Sequence, residues 1–403
     1  MSSRGIRDKV AIVGMGCTAF GELWDRGVDD MVVEAAQDAA DSAGVDVGAV
    51  DAFWLGTMMS GYSGLTLARP LKLDGKPVTR VENFCATGSD AFRNACYAVA
   101  SGAYDMAMAI GVEKLKDSGM SGLVVDLDTG DGTWASMTAP AMFSLLAPAY
   151  AKKYGVDEAD VKKAMTRVAW KNHYNGARNP RAQFRKELPI EAIERSPLVA
   201  GSLGVLDCSG VADGAAAAII VRAEDAHRYT DKPLYVKALA LAAGPASGPM
   251  DPSYDYTTFT EVAKSAQDAY QQAGIENPRE QLALAEVHDC FTVTEIVLME
   301  DLGFAERGTA WKEVLEGTFD LDGELAVNPD GGLKSFGHPI GASGLRMLFE
   351  AWLQLRQEGP PDRAISSVKD GRNLALTHNL GGSPGECVSF VSIVGTELSA
   401  LAG

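Results

Sequence analysis

The sequence predicts an α/β protein built from two related halves, and three observations support this. Short apolar segments alternate with segments of helical length along the whole chain. The short segments are apolar on both faces, which is typical of strands buried between two helix layers. The order of strands and helices in the first half is repeated in the second. Two such halves stacked together predict a five-layered α-β-α-β-α arrangement, with one inserted loop domain.

The N-terminal half is predicted to span residues 1–230 and the C-terminal half residues 231–403. In the first half, strands are expected at Lys9–Gly14, Val50–Gly56, Val81–Phe84, Asp105–Val112 and Gly214–Val221, and helices at Asp30–Ala43 and Ala86–Ser101. In the second half, strands are expected at Leu234–Ala242, Leu282–Val287, Asn373–Thr377 and Glu386–Val394, and helices at Phe259–Ala273 and Leu345–Gln357. Glycine follows the first helix of each half, as it commonly does at a helix C-terminus.

One segment, residues 116–203, has no counterpart in the second half. Between Lys152 and Lys186 it contains ten basic and three acidic residues, although the whole chain has a formal net charge of −18. We expect an insertion domain with a cationic surface. A solvated basic helix face is the alternative interpretation.

Composition excludes several classes of function. The chain has 54 acidic and 36 basic residues, and such an acidic surface repels nucleic-acid backbones. No apolar run approaches the roughly 18 residues that cross a membrane. The six cysteines form no CxxC pair and no metal-ligand spacing, which favours a reducing, cytoplasmic location. Gly14-Met-Gly16-Cys-Thr-Ala19 imitates a dinucleotide fingerprint, but the glycines after it argue against the required helix, so we expect no nucleotide cofactor.

Cys85 is the first candidate for chemistry. It lies in Glu82-Asn-Phe-Cys85-Ala-Thr-Gly88, where a predicted strand ends and a helix begins. Backbone N–H groups and the helix dipole at such a junction favour the thiolate, so we expect the thiol pKa to fall below about 8.5. A buried structural cysteine is the alternative.

Two further segments carry histidines. His288-Asp-Cys290-Phe follows a predicted strand, and the carboxyl ends of parallel strands are where α/β folds place their sites. His338 lies in the glycine-rich segment Gly331–Gly344, and we expect it at a helix N-terminus, as Cys85 is. A pseudo-twofold relation between the halves would bring Cys85 and His338 to one pocket as an activated nucleophile. Packed turns with incidental histidines are the alternatives.

The fourth segment is His378–Gly385, predicted between the last two strands. Its glycines would let backbone N–H groups reach a substrate oxyanion, with Asn379, Gly381 and Gly382 as the candidate residues. A simple hairpin turn would fit the segment equally well.

Together these segments resemble the thiolase superfamily over nearly the whole chain. Cys85 is similar to the nucleophile of the family's first motif, and Gly337-His338-Pro matches its GHP motif. His288-Asp-Cys290-Phe resembles the variant of sterol carrier protein-type thiolases and their acetyl-CoA acetyltransferase branch. Most thiolases have a second cysteine in a Cys-x-Gly motif where this chain has Asn379-Leu-Gly381. The resemblance implies that Cys290 takes over as the acid/base.

The resemblance implies the thiolase fold, with two duplicated βαβαβαββ halves in five layers and an inserted loop domain. It also implies a ping-pong acyl transfer. The reaction would be thiolytic cleavage of a 3-ketoacyl-CoA, or the reverse Claisen condensation of acetyl-CoA, through an acyl group on Cys85. His338 would activate Cys85, His288 and His338 would stabilise the enolate, and the N–H groups of Cys85 and Gly381 the acyl oxyanion. Coenzyme A is then a substrate, no metal is expected, and lipid metabolism, as in fatty acid or sterol degradation, is implied.

The CoA phosphates need cations, and we predict Arg178 and Arg181 in the basic segment. The resemblance further implies a homodimer or homotetramer and a small zinc-ribbon/OB-fold acyl-CoA-binding partner. Two alternatives differ in chemistry: a thiolase-like retro-aldolase acting on steroid or other side-chain CoA esters, and a non-catalytic subunit of a multienzyme complex. The combination of Cys85, Cys290 and His338 argues against the lyase, which has no use for a nucleophilic thiol.

Overall fold

The computed structural model describes residues 5–117, 124–128, 134–248 and 251–399. The strands are β1 Val10–Cys17, β2 Ala52–Gly56, β3 Val78–Val81, β4 Met106–Glu113, β5 Val124–Asp128, β6 Trp134–Thr138, β7 Leu198–Ala200, β8 Leu203–Gly204, β9 Gly214–Arg222, β10 Leu234–Ala243, β11 Leu282–Glu286, β12 Ala326–Val327, β13 Leu374–Ser383 and β14 Glu386–Gly395. The helices are α1 Val28–Ala43, α2 Leu65–Leu71, α3 Thr87–Ala100, α4 Ala139–Phe143, α5 Leu146–Tyr154, α6 Glu158–Ala177, α7 Ile190–Glu194, α8 Thr260–Ala273, α9 Pro278–Gln281, α10 Thr292–Asp301, α11 Ala310–Glu316, α12 Gly332–Phe336, α13 Ser343–Leu355 and α14 Ser366–Lys369. Each helix in these described ranges is too short or too polar to span a bilayer.

Ten strands form a continuous sheet in which the duplication is visible as mirrored strand order. From the middle outwards, the first half reads β1-β9-β4-β2-β3 and the second half reads β10-β14-β13-β11-β12. The pairing directions also match: the inner two pairs of each half are antiparallel and the outer two are parallel. β1 and β10 join the halves by a short antiparallel contact. The predicted duplication is therefore confirmed.

Helices cover both faces of each half and complete five layers. α1 packs on β1 and β9, and α8 packs on β10 and β14, so these two helices lie on the outside. α3 packs against the first half-sheet, while α13 contacts α3 and strands of both half-sheets. The apolar sequence of the strands follows from this arrangement, because both of their faces are covered. All eight residues of β1 and of β4 are buried.

The last hairpin differs from the sequence prediction. β13 extends to Ser383 and pairs continuously with β14, from Leu374 opposite Gly395 to Ser383 opposite Glu386. Only two residues then form the turn, and the segment expected between the strands is mostly strand. Glycine has a low propensity for strands, although it permits close approach of another backbone. The glycines of this segment therefore favoured a loop prediction where the structure has a strand.

The region without a counterpart in the second half contains β5–β8 and α4–α7. Its longest helix, α6, begins where the Asp157 side chain accepts a hydrogen bond from the Ala159 N–H, an ordinary N-cap. α6 packs against α10, α11 and α12 of the second half. The boundaries at residues 116, 203 and 230 remain predictions.

Candidate active site

Three reactive side chains from both halves meet where the two half-sheets face each other. The sulfur of Cys85 and one ring nitrogen each of His288 and His338 lie within 4.8 Å of one another. They line a cavity of about 320 Å³ together with Cys290 and Gly382. Apolar side chains supply most of the remaining wall: Leu115, Ala139, Pro140, Phe143, Val199, Val205, Val211, Phe291 and Ile340. The structure therefore brings together the four candidate catalytic residues in an apolar cavity.

Cys85 is held by a strained turn before α3. Phe84, the residue before it, has a φ of 48°, a left-handed conformation that is unfavourable for a bulky side chain. The Asn83 N–H donates to the Thr87 hydroxyl at 2.8 Å, which ties the turn to the first residue of the helix. The turn directs the Cys85 thiol into the cavity while only 8% of the residue stays exposed.

The predicted fall in the pKa of Cys85 is wrong in direction. Burial of the thiol raises its pKa to about 12, and the negative charge of Glu113 adds to the rise. The helix dipole does not offset this rise, because the free energy lost when a thiolate is removed from water exceeds the stabilisation by one helix N-terminus. The candidate nucleophile is therefore a neutral thiol at rest, and it would need a base.

His338 has an imidazole nitrogen that could act as a base. Its Nδ1 lies 2.7 Å from the Ser343 hydroxyl, and that hydroxyl donates its own proton to the Pro339 carbonyl at 3.0 Å. The hydroxyl must therefore accept from Nδ1–H, which leaves the lone pair on Nε2. Nε2 has no hydrogen-bond partner among the described residues. Burial lowers the pKa of His338 to about 3, so the resting ring is neutral and the Nε2 lone pair is not protonated.

The position of His338 differs from the prediction. It was expected at a helix N-terminus equivalent to that of Cys85, but it lies in the turn between α12 and α13, five residues before α13 begins. Gly341 lies beside the equivalent helix start instead. A Cβ at Gly341 would lie 2.6 Å from the carbonyl of Gly56 and 2.7 Å from that of Val112, so this backbone is in direct contact with the first half.

His288 and Cys290 follow β11. The His288 ring packs edge-to-face on the His338 ring with 5.3 Å between centroids, and burial together with His338 keeps its pKa well below the usual range. The Cys290 sulfur lies 3.7 Å from the Thr294 hydroxyl at the start of α10. Burial and the nearby Cys85 raise the pKa of Cys290, so it too is a neutral thiol at rest. A neutral thiol can donate a proton, which an acid requires.

The three residues predicted in the last loop all lie on β13, beside the Cys85 turn, the start of α3 and the cavity. A Cβ at Gly381 would lie 2.4 Å from the Asn83 carbonyl and 3.1 Å from the Phe84 side chain, so the nucleophile turn packs directly on this backbone. Asn379 accepts a hydrogen bond from Ser89 at 2.6 Å, while its Nδ2 has no partner in the described chain. Gly382 lines the cavity itself.

Glu113 is a site residue that the sequence analysis missed. It is fully buried at the end of β4, and its carboxylate accepts hydrogen bonds from Thr57, Met58, Met59, Ser60 and Gly341. The bond from the Gly341 N–H, at 3.1 Å, attaches the histidine turn of the second half to the first half. An isolated glutamate at the end of an apolar strand gives no such signal in the sequence.

Asp289 was also overlooked, although it lies inside a recognised segment. Its carboxylate accepts from the N–H groups of Leu333 and Lys334, at 2.6 and 3.1 Å, and from the Asn172 side chain at 2.7 Å. It thereby links the His288 strand end to α12, which leads into His338. Its place in the sequence, between the catalytic candidates His288 and Cys290, could have indicated this role.

Arg178 and Arg181 lie elsewhere, and neither lines the cavity. Arg178 stacks on the Tyr174 ring, donates to its carbonyl at 2.7 Å and forms an ion pair with Glu187. Arg181 donates to the Cys17 carbonyl at 2.9 Å. Both guanidinium groups are therefore already bound by the protein.

Comparison with known proteins decides the family. Residues 10–224 match the model of the thiolase N-terminal domain, and residues 249–393 match that of the thiolase C-terminal domain-like family. This chain belongs to the thiolase family. As a thiolase it is an acyltransferase, and its reaction is acyl transfer of the thiolase type.

Several relatives extend over almost the whole thiolase chain. The acetyl-CoA acetyltransferase of Methanothermobacter thermautotrophicus is 37% identical over 390 residues, covering 93% of this chain and 97% of the relative. That of Methanocaldococcus jannaschii is 36% identical, covering 95% and 98%. Sterol carrier protein 2 of Bos taurus is 30% identical, covering 94% of this chain and 71% of its own length.

Solved structures support the fold. A chain of an Ltp2-ChsH2(DUF35) aldolase superimposes with a TM-score of 0.80 at 22% identity, covering 98% of this chain and 100% of that one. Human mitochondrial 3-ketoacyl-CoA thiolase superimposes with a TM-score of 0.69 at 18% identity, covering 97% and 100%. At these identities the likeness concerns the fold alone.

The cysteine and two histidines of this thiolase are also the ligand types that zinc prefers. Their three donor atoms lie close enough together to hold one ion. The same atoms would then be unable to act as nucleophile and base. A metal at this position would therefore be an inhibitor of acyl transfer through Cys85.

Proposed function

We propose that this thiolase transfers acyl groups through Cys85, with His338 as the base and Cys290 as the acid. The observation that carries the proposal is the pairing of a buried neutral thiol with an unpartnered imidazole Nε2 in one apolar cavity. Each group has the protonation state that the first step needs. A nucleophile beside a base is the arrangement of covalent catalysis, and here the Cys85 sulfur lies within 4.8 Å of a His338 ring nitrogen.

The first half-reaction begins with proton transfer from Cys85 to Nε2 of His338. The thiolate attacks the 3-keto carbon of a 3-ketoacyl-CoA, and the bond between C2 and C3 breaks. The electron pair of that bond forms the enolate of acetyl-CoA, which Cys290 protonates. The acyl group stays on Cys85 as a thioester, and Cys290 is left as a thiolate.

The second half-reaction reverses the proton movements. The Cys290 thiolate takes the proton of an incoming CoA thiol, which attacks the thioester on Cys85. The released Cys85 thiolate recovers its proton from His338, and the enzyme returns to its resting state. Run backwards with acetyl-CoA, the same steps give the Claisen condensation.

Two negative charges develop and need hydrogen-bond donors. We assign His288 and protonated His338 to the enolate oxygen, and the N–H groups of Cys85 and Gly381 to the acyl oxyanion. The close packing of Gly381 on the Cys85 turn supports the second pair. Asn379 and Gly382 complete this wall. Each lost donor should lower the rate roughly 100- to 1000-fold.

The substrate that we propose is a 3-ketoacyl-CoA or acetyl-CoA. The named activity of the two archaeal relatives, acetyl-CoA acetyltransferase, supports it, as does the apolar wall of the cavity. CoA is then consumed as a substrate. The sequence-based placement of its phosphates on Arg178 and Arg181 stays a prediction, and charge reversal at both should raise the KM for CoA if it is right.

Retro-aldol cleavage is the second candidate, favoured by one observation. The aldolase superimposes on this chain with a higher TM-score than the human thiolase does, 0.80 against 0.69. An aldolase needs no acyl group on the enzyme, whereas this chain has a nucleophilic cysteine with a base beside it. A covalent adduct therefore separates the two reactions.

Intact-mass analysis after brief mixing with acetyl-CoA, and separately with a medium-chain 3-ketoacyl-CoA, tests the proposal. An acyl adduct is expected on the wild type and on Cys96→Ala, a control that removes a buried thiol of α3 outside the cavity. It should be absent from Cys85→Ala. No adduct with either donor would contradict the proposal and favour the aldolase.

We also propose a cytoplasmic homodimer that docks a small acyl-CoA-binding partner. All six cysteines are free, as in a reducing compartment. Met59, Tyr62, Leu65 and Phe84 are exposed apolar residues in the segments around edge strand β3, where a second copy would cover them. The DUF35 subunit in the name of the aldolase supports the partner. Light scattering alone and with a purified DUF35 protein would test both.

A further inference from the structure

Most positive charges of the basic segment are neutralised within the protein. Six of the ten basic residues between positions 152 and 186 form ion pairs. The pairs are Lys153–Asp255, Lys162–Asp207, Lys163–Asp160, Arg167–Asp320, Lys171–Glu295 and Arg178–Glu187. The cationic surface expected from the sequence is therefore much smaller than the local composition suggests.

Two of the cations without such a pair converge on one place. In the described part of the chain, the other four basic residues have no carboxylate within 4 Å: Lys152, Arg181, Arg185 and Lys186. Arg185 and Lys186 are exposed, and both line a second cavity of about 450 Å³. This cavity shares Val205, Cys208 and Ser209 with the catalytic cavity, so the two lie on opposite sides of one segment.

A buried lysine forms the inner end of the second cavity. Lys334 is only 2% exposed, and its Nζ has one hydrogen-bond partner, His173 Nε2 at 3.2 Å. No carboxylate of the described residues lies within 4 Å of it. An ammonium group has three N–H donors, so two are left for a ligand. Burial lowers the pKa of Lys334 to about 8, which still leaves it mostly protonated at pH 7.

We propose that this second cavity is a subsite for an oxyanion group of the substrate, with Lys334 at its inner end and Arg185 and Lys186 at its mouth. The proposal rests on the proposed function, because an acyl-CoA carries the anion to this place. Two groups have the required chemistry: a phosphate of CoA, or a carboxylate at the far end of the acyl chain. A buried cation is costly without an anion, and three cations around one cavity favour either.

The test measures binding without catalysis, in a Cys85→Ala background, by isothermal titration. For the phosphate, the probes are CoA, dephospho-CoA and pantetheine. For the carboxylate, they are 3-oxoadipyl-CoA and 3-oxohexanoyl-CoA, which have equal chain length and differ in one carboxylate. The variants are Lys334→Met and the double change Arg185→Gln with Lys186→Gln. Lys152→Gln is the matched control, an exposed lysine of the same segment with no ion pair in the described chain.

A phosphate source predicts that the variants weaken CoA binding about 10- to 100-fold and leave pantetheine unchanged. A carboxylate source predicts the same loss for 3-oxoadipyl-CoA alone, with 3-oxohexanoyl-CoA unchanged. Equal losses for every probe, or losses no larger than in Lys152→Gln, would overturn the subsite. If Lys334→Met has a much lower melting temperature than the wild type, two other variants still test the subsite. These are Lys334→Arg, which keeps the positive charge, and the double variant at Arg185 and Lys186.

The proposed function and the proposed subsite are tested by separate experiments, so either can be contradicted without the other. The adduct on wild-type Cys85 tests the covalent reaction, and the titrations use protein that cannot form it. An adduct without charge-dependent binding would remove the subsite and keep the thiolase mechanism. Charge-dependent binding without an adduct would keep the anion subsite and remove the mechanism.

Discussion

The inner helices of the two halves start alike and then serve different purposes. Cys85-Ala-Thr-Gly88 precedes and opens α3, and Gly341-Ala-Ser-Gly344 precedes and opens α13. The first half places the proposed nucleophile, Cys85, where the second half has Gly341. The second half has the proposed base, His338, in the turn before this point. The two halves thus share the same backbone arrangement at these helix starts, but their side chains have different proposed roles.

The fourth residue of each helix extends the comparison. Asp90 of α3 bonds locally, to Arg93 at 2.7 Å and to Asn83 at 2.7 Å. Its counterpart Arg346 in α13 is fully buried and reaches Glu286, at 2.6 Å, and Asp330. The proposed nucleophile therefore depends on local contacts, whereas the imidazoles lie next to buried ion pairs that connect β11, the turn before α12, and α13.

The largest effect should follow from removing the base of the second half. His338→Ala is expected to lower kcat roughly 100- to 10,000-fold, because it removes the Nε2 lone pair that we propose as the base for Cys85. The loss should include the adduct-forming step, measured by rapid mixing and intact mass. His227→Ala, an exposed histidine outside the site, is the control and should keep full activity.

The second largest effect should be a loss of stability when the buried ion pairs of Arg346 are broken. Arg346→Met leaves Glu286 and Asp330 buried without their cation, which typically costs about 3–5 kcal/mol of unfolding free energy. Denaturant unfolding measures it. Asp90→Asn, at the equivalent position of the first half, should cost about 1 kcal/mol because its contacts are local. Equal losses at both positions would contradict the contrast between the two halves.

The pH dependence of alkylation tests the protonation states at the junction of the halves. With a Cys85 pKa of about 12, the thiolate fraction rises as pH rises, so labelling by iodoacetamide should increase about tenfold per pH unit between pH 7 and 9. Mass mapping of the Cys85 peptide measures the rate. A plateau beginning near pH 7 would show a preformed thiolate and contradict the neutral pair.

Glu113 connects the two halves, and its substitution should raise the alkylation rate of Cys85 while lowering the catalytic rate. Glu113→Gln removes a negative charge near Cys85, so the thiol pKa should fall and alkylation should become faster. Catalysis should slow by about tenfold, because the bond to the Gly341 N–H weakens and the His338 turn loosens. Slower alkylation together with slower catalysis would indicate general unfolding instead of a positioning role.

The smallest effect concerns the tautomer of His338. Ser343→Ala removes the acceptor of Nδ1–H and should lower kcat about five- to tenfold, with little change in KM. Thr87→Ala removes the equivalent hydroxyl of the first half, which supports the Cys85 turn. It should instead change the alkylation rate of Cys85. Identical behaviour of the two variants would remove the distinction between the halves.

The sequence by itself determined the fold class and provided the candidates for the reacting groups. Strands that are apolar on both faces, and repeated in the same order, were sufficient to predict two helix-covered halves, because periodicity is a local property. Cys85, His288, Cys290 and His338 stood out through neighbouring glycines, a proline and strand ends. These signals are also local, within about ten residues of each side chain.

The tertiary structure decided what depends on residues far apart in the chain. The pKa of Cys85 follows from burial and from Glu113, not from the helix start beside it. The basic segment lost most of its charge to partners up to 153 residues away, as in Arg167 with Asp320. Burial and ion pairing are set by packing between segments, and local spacing carries no information about either.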